Sequence, residues 1–250
     1  EVFSKDESTY ARLSLHNSLF ADRAAAHGTA CVDLSTDVLA PLARLPGYRP
    51  LVVDAHTERA SSSSSSSSSP PSTPARNPFE RRWDLPLPWL RGFLQVQSAA
   101  VLPTSTAELL PIDLYNVLYA LRMRKAKVPP RGLRFELIPG QRPRVVVEPW
   151  DIVLECHGDV FRGAQPRVVR MYGRQRLMLL QRVLPYAQSL RVHLVGAGLP
   201  SFFCLDLGQA TLTMALSGWT ESSWSSAAAF DALMPSSSSS AASLAEHAYT

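Results

Sequence analysis

The chain has 250 residues, enough for one large domain or two of ordinary size, and 46% of them are hydrophobic, as a packed core requires. No apolar run reaches the roughly 18 residues that a membrane-spanning helix needs. Lys and Arg total 25 against 21 Asp and Glu, for a net charge of +4, and only three of the 25 are Lys; arginine's planar fork suits phosphate and carboxylate partners.

Taken in order, Tyr10–Leu15 alternates apolar and polar residues without a helix cap before it, which predicts a strand. Gly28 opens a second unit, with a strand at Thr29–Leu34 and a helix capped by Ser35 or Thr36 and running to Arg44. Pro46-Gly47 stops that helix, and Leu51–Asp54 is the next strand. From Ser61 the chain runs through nine serines into PPSTP. Such a segment buries too little apolar area to offset its ordering entropy, so residues 61–78 are expected to be a flexible insertion.

Leu85-Pro86 then leads a helix with Leu90, Phe93, Leu94 and Gln97 on one face and Arg91 elsewhere. The next helix begins at Pro111, pre-set for a first turn, with Asp113 facing the positive helix end. Leu114, Val117, Leu118 and Leu121 give its apolar face, and Arg122, Arg124, Lys125 and Lys127 load its C-terminal end up to Pro129-Pro130. Strands are expected at Leu133–Leu137, Arg144–Val147 and Ile152–Cys156. Val168–Trp219 is the best-patterned block: strand Val168–Met171, helix Arg174–Leu184, then strands Leu190–Val195, Phe202–Leu207 and Gln209–Leu216. Within that helix Leu177, Leu180, Val183 and Leu184 share one face and Arg174 and Arg182 the other, while Arg176 falls inside the apolar arc. A short helix over Trp219–Leu233 and a Ser/Ala tail at 236–250 complete the chain. The expected fold is α+β, mostly antiparallel sheet with four main helices, divided as 1–60, the insertion 61–78, 79–235 and the tail 236–250.

The chemistry-bearing motifs are thin. Gly196-x-Gly198 follows a strand, but Ser201 stands where a dinucleotide fingerprint needs its third glycine and a strand follows, so it predicts a hairpin turn. Cys156-His157 lacks the second ligand pair a zinc site uses, and no G-x-S-x-G elbow or phosphate-cradling G-x-x-x-x-G-K-[ST] occurs. No metal ligand, cofactor or catalytic residue is therefore assigned. Cys31, Cys156 and Cys204 lie far apart, an odd count that reads as three reduced thiols in a reducing compartment; with no secretory leader after Glu1, the expected location is cytoplasmic. What remains is charge, in two clusters free of acids: Arg122–Arg134 and Arg162–Arg191. Each phosphate contact there would add a salt-dependent increment to nucleic-acid binding. An enzyme with a site assembled from the dispersed Asp151, Glu155 and His157 is the alternative, and a deep pocket joining those three would mark it.

The phrases YARLSL, HGTACVDLS, LPLPWLRGFLQVQ, MYGRQRLMLLQRVLPYAQSLRVHLVGAGLPSFF and LSGWTESSW resemble bacterial SWIM zinc-finger family proteins, from about Ser8 to Trp224. The Cys-x-Cys…Cys-x-His site that names the family is absent, so no zinc ligand carries over, and zinc would be held elsewhere in a full-length protein. The resemblance implies a region outside the finger, with DNA or a protein as partner. Element order separately looks like the unit of sliding DNA clamps, twice over, in which paired helices face a duplex. That likeness would put Arg91, Arg122, Arg124, Lys125, Arg174 and Arg182 on one concave helical face. The combined expectation is a binding or scaffold region rather than an enzyme, with no membrane contact.

Overall fold

The computed structural model describes residues 1–19, 44, 87–218 and 223–225. The chain divides into two compact units, Glu1–Ala24 with Pro86–Thr250, and Ala25–Leu85. Every described residue except Arg44 belongs to the first, which is the unit described below. The elements expected within 29–54, the insertion at 61–78, the tail at 236–250 and most of the helix expected over Trp219–Leu233 lie outside the described residues.

The described strands form two antiparallel sheets. One has six strands in the order β1 (Val2–Phe3), β2 (Thr9–Leu15), β10 (Ala210–Leu216), β9 (Ser201–Asp206), β8 (Ser189–Leu194) and β3 (Ser105–Leu109). The other has four, β6 (Ile152–Glu155), β5 (Arg144–Val147), β4 (Leu133–Leu137) and β7 (Arg167–Met171). Two α-helices accompany them, α1 (Leu87–Ala100) and α2 (Pro111–Met123), with 3-10 turns η1 (Asn17–Leu19), η2 (Arg174–Arg182) and η3 (Leu184–Tyr186). The class is the α+β with antiparallel sheet that the alternation predicts. Of the four expected helices two are α, one is 3-10, and the one ending at Arg44 falls outside the described residues. Gly196-x-Gly198 is the β8–β9 hairpin turn, with Gly198 in the left-handed region at φ 68°, which glycine enters at no steric cost.

One core fills the space between the sheets. Phe203, Leu205, Met214 and Leu216 from the larger sheet meet Leu133, Phe135, Val145 and Val169 from the smaller, and α2 adds Leu114, Val117, Leu118 and Leu121, the face its spacing predicts. A second, smaller cluster joins Tyr10, Phe202 and Ala215 to Val96 and Ala99 of α1 and to Trp224. Phe202 and Phe203 are neighbours on β9, as Met214 and Ala215 are on β10, so the two clusters lie on opposite faces of the six-stranded sheet. The helices α1 and α2 are therefore separated by that sheet and do not pair.

The buried face of α1 differs from the expected one. Gly92, Val96 and Ala99 are buried while Leu90, Leu94 and Gln97 are exposed. Small residues let the helix axis come close to the sheet: a Cβ on Gly92 would already lie 3.2 Å from the Phe3 ring and 3.4 Å from Trp224 Cβ. A second correction concerns η2. A 3-10 helix repeats every three residues, so Arg174 stands in line with Leu177 and Leu180, and all three are buried. The α-helical period of 3.6 put Arg174 on the outer arc; the tighter winding carries it inward.

Candidate interaction surface

The layer formed by α2, η2 and η3, which pack on one another, carries most of the candidate residues. Asp113 sets the start of α2. Its Oδ2 accepts the Leu110 N–H at 2.8 Å, and its Oδ1 faces the backbone N of His157 at 3.0 Å and His157 Nδ1 at 2.7 Å. This ties the helix N-terminus to the end of β6 and accounts for a carboxylate that is 4% exposed.

At its other end α2 stops earlier than the run of cations suggests. Arg124 is already extended, at φ −133° and ψ 128°, so Arg124, Lys125 and Lys127 lie past the helix rather than on it. Arg122, Arg124, Lys125, Lys127 and Arg131 are all exposed, and no carboxylate lies within ion-pair distance of any of them among the described residues. Two stand over aromatic rings, Arg122 5.7 Å from the centroid of Tyr119 and Arg124 6.0 Å from that of Trp150. The outward stripe of α2 is apolar and aromatic, with Ile112, Tyr115, Tyr119 and Met123 exposed at helical spacing.

The six expected residues separate into three groups. Arg122, Arg124 and Lys125 stand together at the end of α2, and Arg182, exposed, ends the neighbouring η2. Arg91 is exposed on α1, across the six-stranded sheet, and does not join them. Arg174 is only 4% exposed. Its Nη1 donates to the carbonyl oxygens of Gly132, at 3.1 Å, and Glu148, its guanidinium lies 5.4 Å from the Trp150 ring centroid, and burial lowers its pKa. It holds three segments of the fold together and presents nothing to solvent.

A charge cluster centred on the buried Glu148 lies on the four-stranded sheet and was not legible in the sequence. Glu148 is 2% exposed and its Oε1 accepts from Arg134 Nη1 at 3.3 Å and Arg170 Nε at 3.0 Å. Arg134 also reaches Glu136, at 3.1 Å, and Asp151. The arginines of β4 and β7 therefore face a carboxylate from the β5–β6 turn, brought in by the cross-strand register Arg134↔Arg170. Sequence offers one hint of this: Arg134 and Glu136 alternate on one side of a strand.

The dispersed acid–base candidates do not share a pocket. Asp151, on the β5–β6 turn, is highly exposed and reaches Arg134 at 3.6 Å; Glu155 is exposed at the end of β6, opposite Arg144; His157 is engaged with Asp113. Among the described residues no three His, Cys, Asp or Glu side chains gather as metal ligands, and no helix is long and apolar enough to cross a membrane. A groove does lie elsewhere. It runs between β3, over Thr104–Thr106, and the segment Phe161–Arg167, with a volume of about 600 Å³.

No protein-family model matches the chain, and no curated protein does. Among solved structures it is weakly similar to the beta chain of DNA polymerase III from Streptococcus pneumoniae, 12% identical with a TM-score of 0.36. That likeness covers 46% of this chain and 30% of the other, so the chain matches less than a third of that protein's length.

Proposed function

We propose that this chain is a non-catalytic docking region that holds a nucleic-acid backbone on the α2–η2 layer. The observation that supports it is the run from Arg122 to Arg131, in which five exposed cations lack a carboxylate partner among the described residues. A folded surface normally intersperses both signs, and a patch of one sign with exposed Tyr115 and Tyr119 beside it suits phosphates and base faces. In this proposal Arg122, Arg124, Lys125, Lys127, Arg131 and Arg182 contact phosphate. Arg174 supports the layer from within, and Arg91 is left out. The finer reading, that this is the finger-less region of a SWIM-type protein, rests on the quoted sequence phrases.

If about five phosphates are neutralised, the logarithm of the binding constant falls against the logarithm of salt with a slope of about −4.5, and a fourfold rise in salt weakens binding roughly 500-fold. Fluorescence anisotropy with a labelled 20-base-pair duplex at 50 to 200 mM salt measures this. Arg124→Glu with Lys125→Glu should lower the slope by about two. Duplex binding that is absent, or that is insensitive to salt, overturns the nucleic-acid assignment and leaves a protein as the partner of this layer.

A further inference from the structure

We propose that the free edge of β3 receives an extended, acidic peptide as a seventh strand of the larger sheet. β3 is the last strand of the six, paired with β8 on one side only. The direction of its unpaired groups follows from one contact. A Cβ placed on Gly158 would overlap the carbonyl oxygen of Glu108, so that carbonyl points away from β8 and toward the 156–158 segment. In an antiparallel pair, residues two apart direct their N–H and C=O to the same side. The N–H and C=O of Thr106 therefore also face outward, and no other backbone group of the described residues bonds to them.

Gly158 closes the edge at Glu108, and beyond it the edge opens into the groove. One wall is Thr104–Thr106 and the other is Phe161–Arg167, and the groove continues past Thr106 and Arg162 toward Arg191 and Asp159. The outward N–H and C=O of Thr106 are the kind of unpaired edge groups that another backbone in extended form satisfies, which is how sheet edges take peptides. The side chains flanking the edge set the chemistry of the occupant. Arg162 and Arg191 pair with Asp159 and Glu108 at 3.1 and 2.5 Å, all four of them exposed to solvent. Arg167 has no ion-pair partner among the described residues, and the groove carries three arginines against two acids. A peptide whose outward residues are acidic meets Arg167 directly and competes for the other two. Thr106 and His193 are already joined across the β3–β8 pair, Oγ1 to Nδ1 at 3.0 Å, which holds this end of the edge in register.

This surface is separate from the α2–η2 layer, and its test does not depend on nucleic acid. The probe is a fluorescein-labelled seven-residue peptide alternating glutamate and valine, titrated against the full chain. The expected result is saturable binding, weakened at least tenfold by Arg162→Glu with Arg167→Glu and by Ala164→Trp, which fills the groove. Bound peptide should also slow hydrogen exchange of the Thr106 amide at least tenfold. Circular dichroism and the melting temperature of each variant show that it folds as the native chain does. Any of four results overturns the proposal: no saturable binding at millimolar peptide, equal affinity for the charge-reversed variant, unchanged exchange at Thr106, or a dimer of the chain itself that Ala164→Trp dissolves.

Discussion

Arg176 bonds to the residues flanking both β2 and β10, and its replacement gives a graded outcome. Its Nη1 donates to the carbonyl oxygen of Ser8 at 2.8 Å and to Ser217 Oγ at 2.9 Å, and its Nη2 to the carbonyl oxygen of Ser217 at 3.0 Å. Ser8 precedes β2 and Ser217 follows β10, both serines are buried, and η2 is thereby stapled to two strands from opposite ends of the chain. A hydrogen bond to a charged group contributes about 1.5–3 kcal/mol net, but the three share one guanidinium, and the Ser8 carbonyl also accepts the Ser217 N–H at 3.0 Å. The contributions therefore do not add, and Arg176→Ala should cost about 3 kcal/mol. For a chain of this size that lowers the melting temperature by about 6–12 °C. Arg176→Lys keeps the charge but has no fork to span Ser8 and Ser217 together, so it should cost about 2 kcal/mol. Gly173 is coupled to it, because at φ 70° it lies in the left-handed region and a Cβ there would overlap the guanidinium. Urea denaturation followed by tryptophan fluorescence, with the double variant Gly173→Ala, Arg176→Ala, measures all of this. A native-like Arg176→Lys, or additive costs in the double variant, would refute the staple.

Four further outcomes follow from single residues. Burial and then Arg191 lower the pKa of His193, against the opposing pull of Glu108, so folding favours its neutral form. The stability it contributes is complete above about pH 6.5 and is lost as pH falls through its lowered folded value; the urea midpoint should drop between pH 7.5 and 5.5, and His193→Gln should lack part of that drop. Burial, with Asp113 adding to it, pushes the Cys156 thiol up to about 12, so in a Cys31→Ser, Cys204→Ser background a thiol–disulfide reagent at pH 8 should label it only on unfolding, and labelling within seconds would contradict its burial. Glu148→Gln removes the buried carboxylate that Arg134 and Arg170 share, but both arginines are part-exposed and Arg134 keeps Glu136, so it should cost about 1.5–3 kcal/mol by urea titration. Arg174→Gln should destabilise the fold while leaving the salt slope of duplex binding intact, whereas Arg182→Gln should leave stability intact and reduce that slope by about one; the reverse pattern would show that η2 winds as an α-helix.

Most of the strands were legible from their apolar patterning. Leu133, Phe135 and Leu137 point inward with Arg134 and Glu136 between them, and β8 follows the same rule, whereas β5, β9 and β10 read as strands through their apolar runs and bury consecutive residues. β3 escaped it. Ala107 and Leu109 do alternate with Thr106 and Glu108, but a five-residue strand with a small inward residue offers little contrast. The face of α1 was misplaced for a related reason: hydrophobic size points to Leu90 and Leu94, whereas close approach selects Gly92, Val96 and Ala99. The site was legible only in part. The free cations past α2 were visible as a run, but Glu148 and its two arginines come from three segments, and only the sheet register brings them together.

The absence of acids from Val160 to Leu205 suggests a one-signed surface, and that step is where the inference fails. A guanidinium has five N–H donors and no need of a carboxylate to be satisfied inside a fold. Arg174 and Arg176 are answered chiefly by backbone carbonyls, which every residue carries and no composition reveals. Arg170 is answered by Glu148, which lies outside the acid-free stretch. Three of the arginines in that stretch are thus used by the structure itself, and Arg162 and Arg191 have acids beside them. Among the described residues, Arg167 and Arg182 are left there without an internal partner. The run Arg122–Arg131 is different in kind, because α2 ends before most of it, the backbone is already extended at Arg124, and its five cations are exposed. Local charge becomes evidence for a partner only where the backbone path rules out an internal one, and in this chain that condition is met past the end of α2.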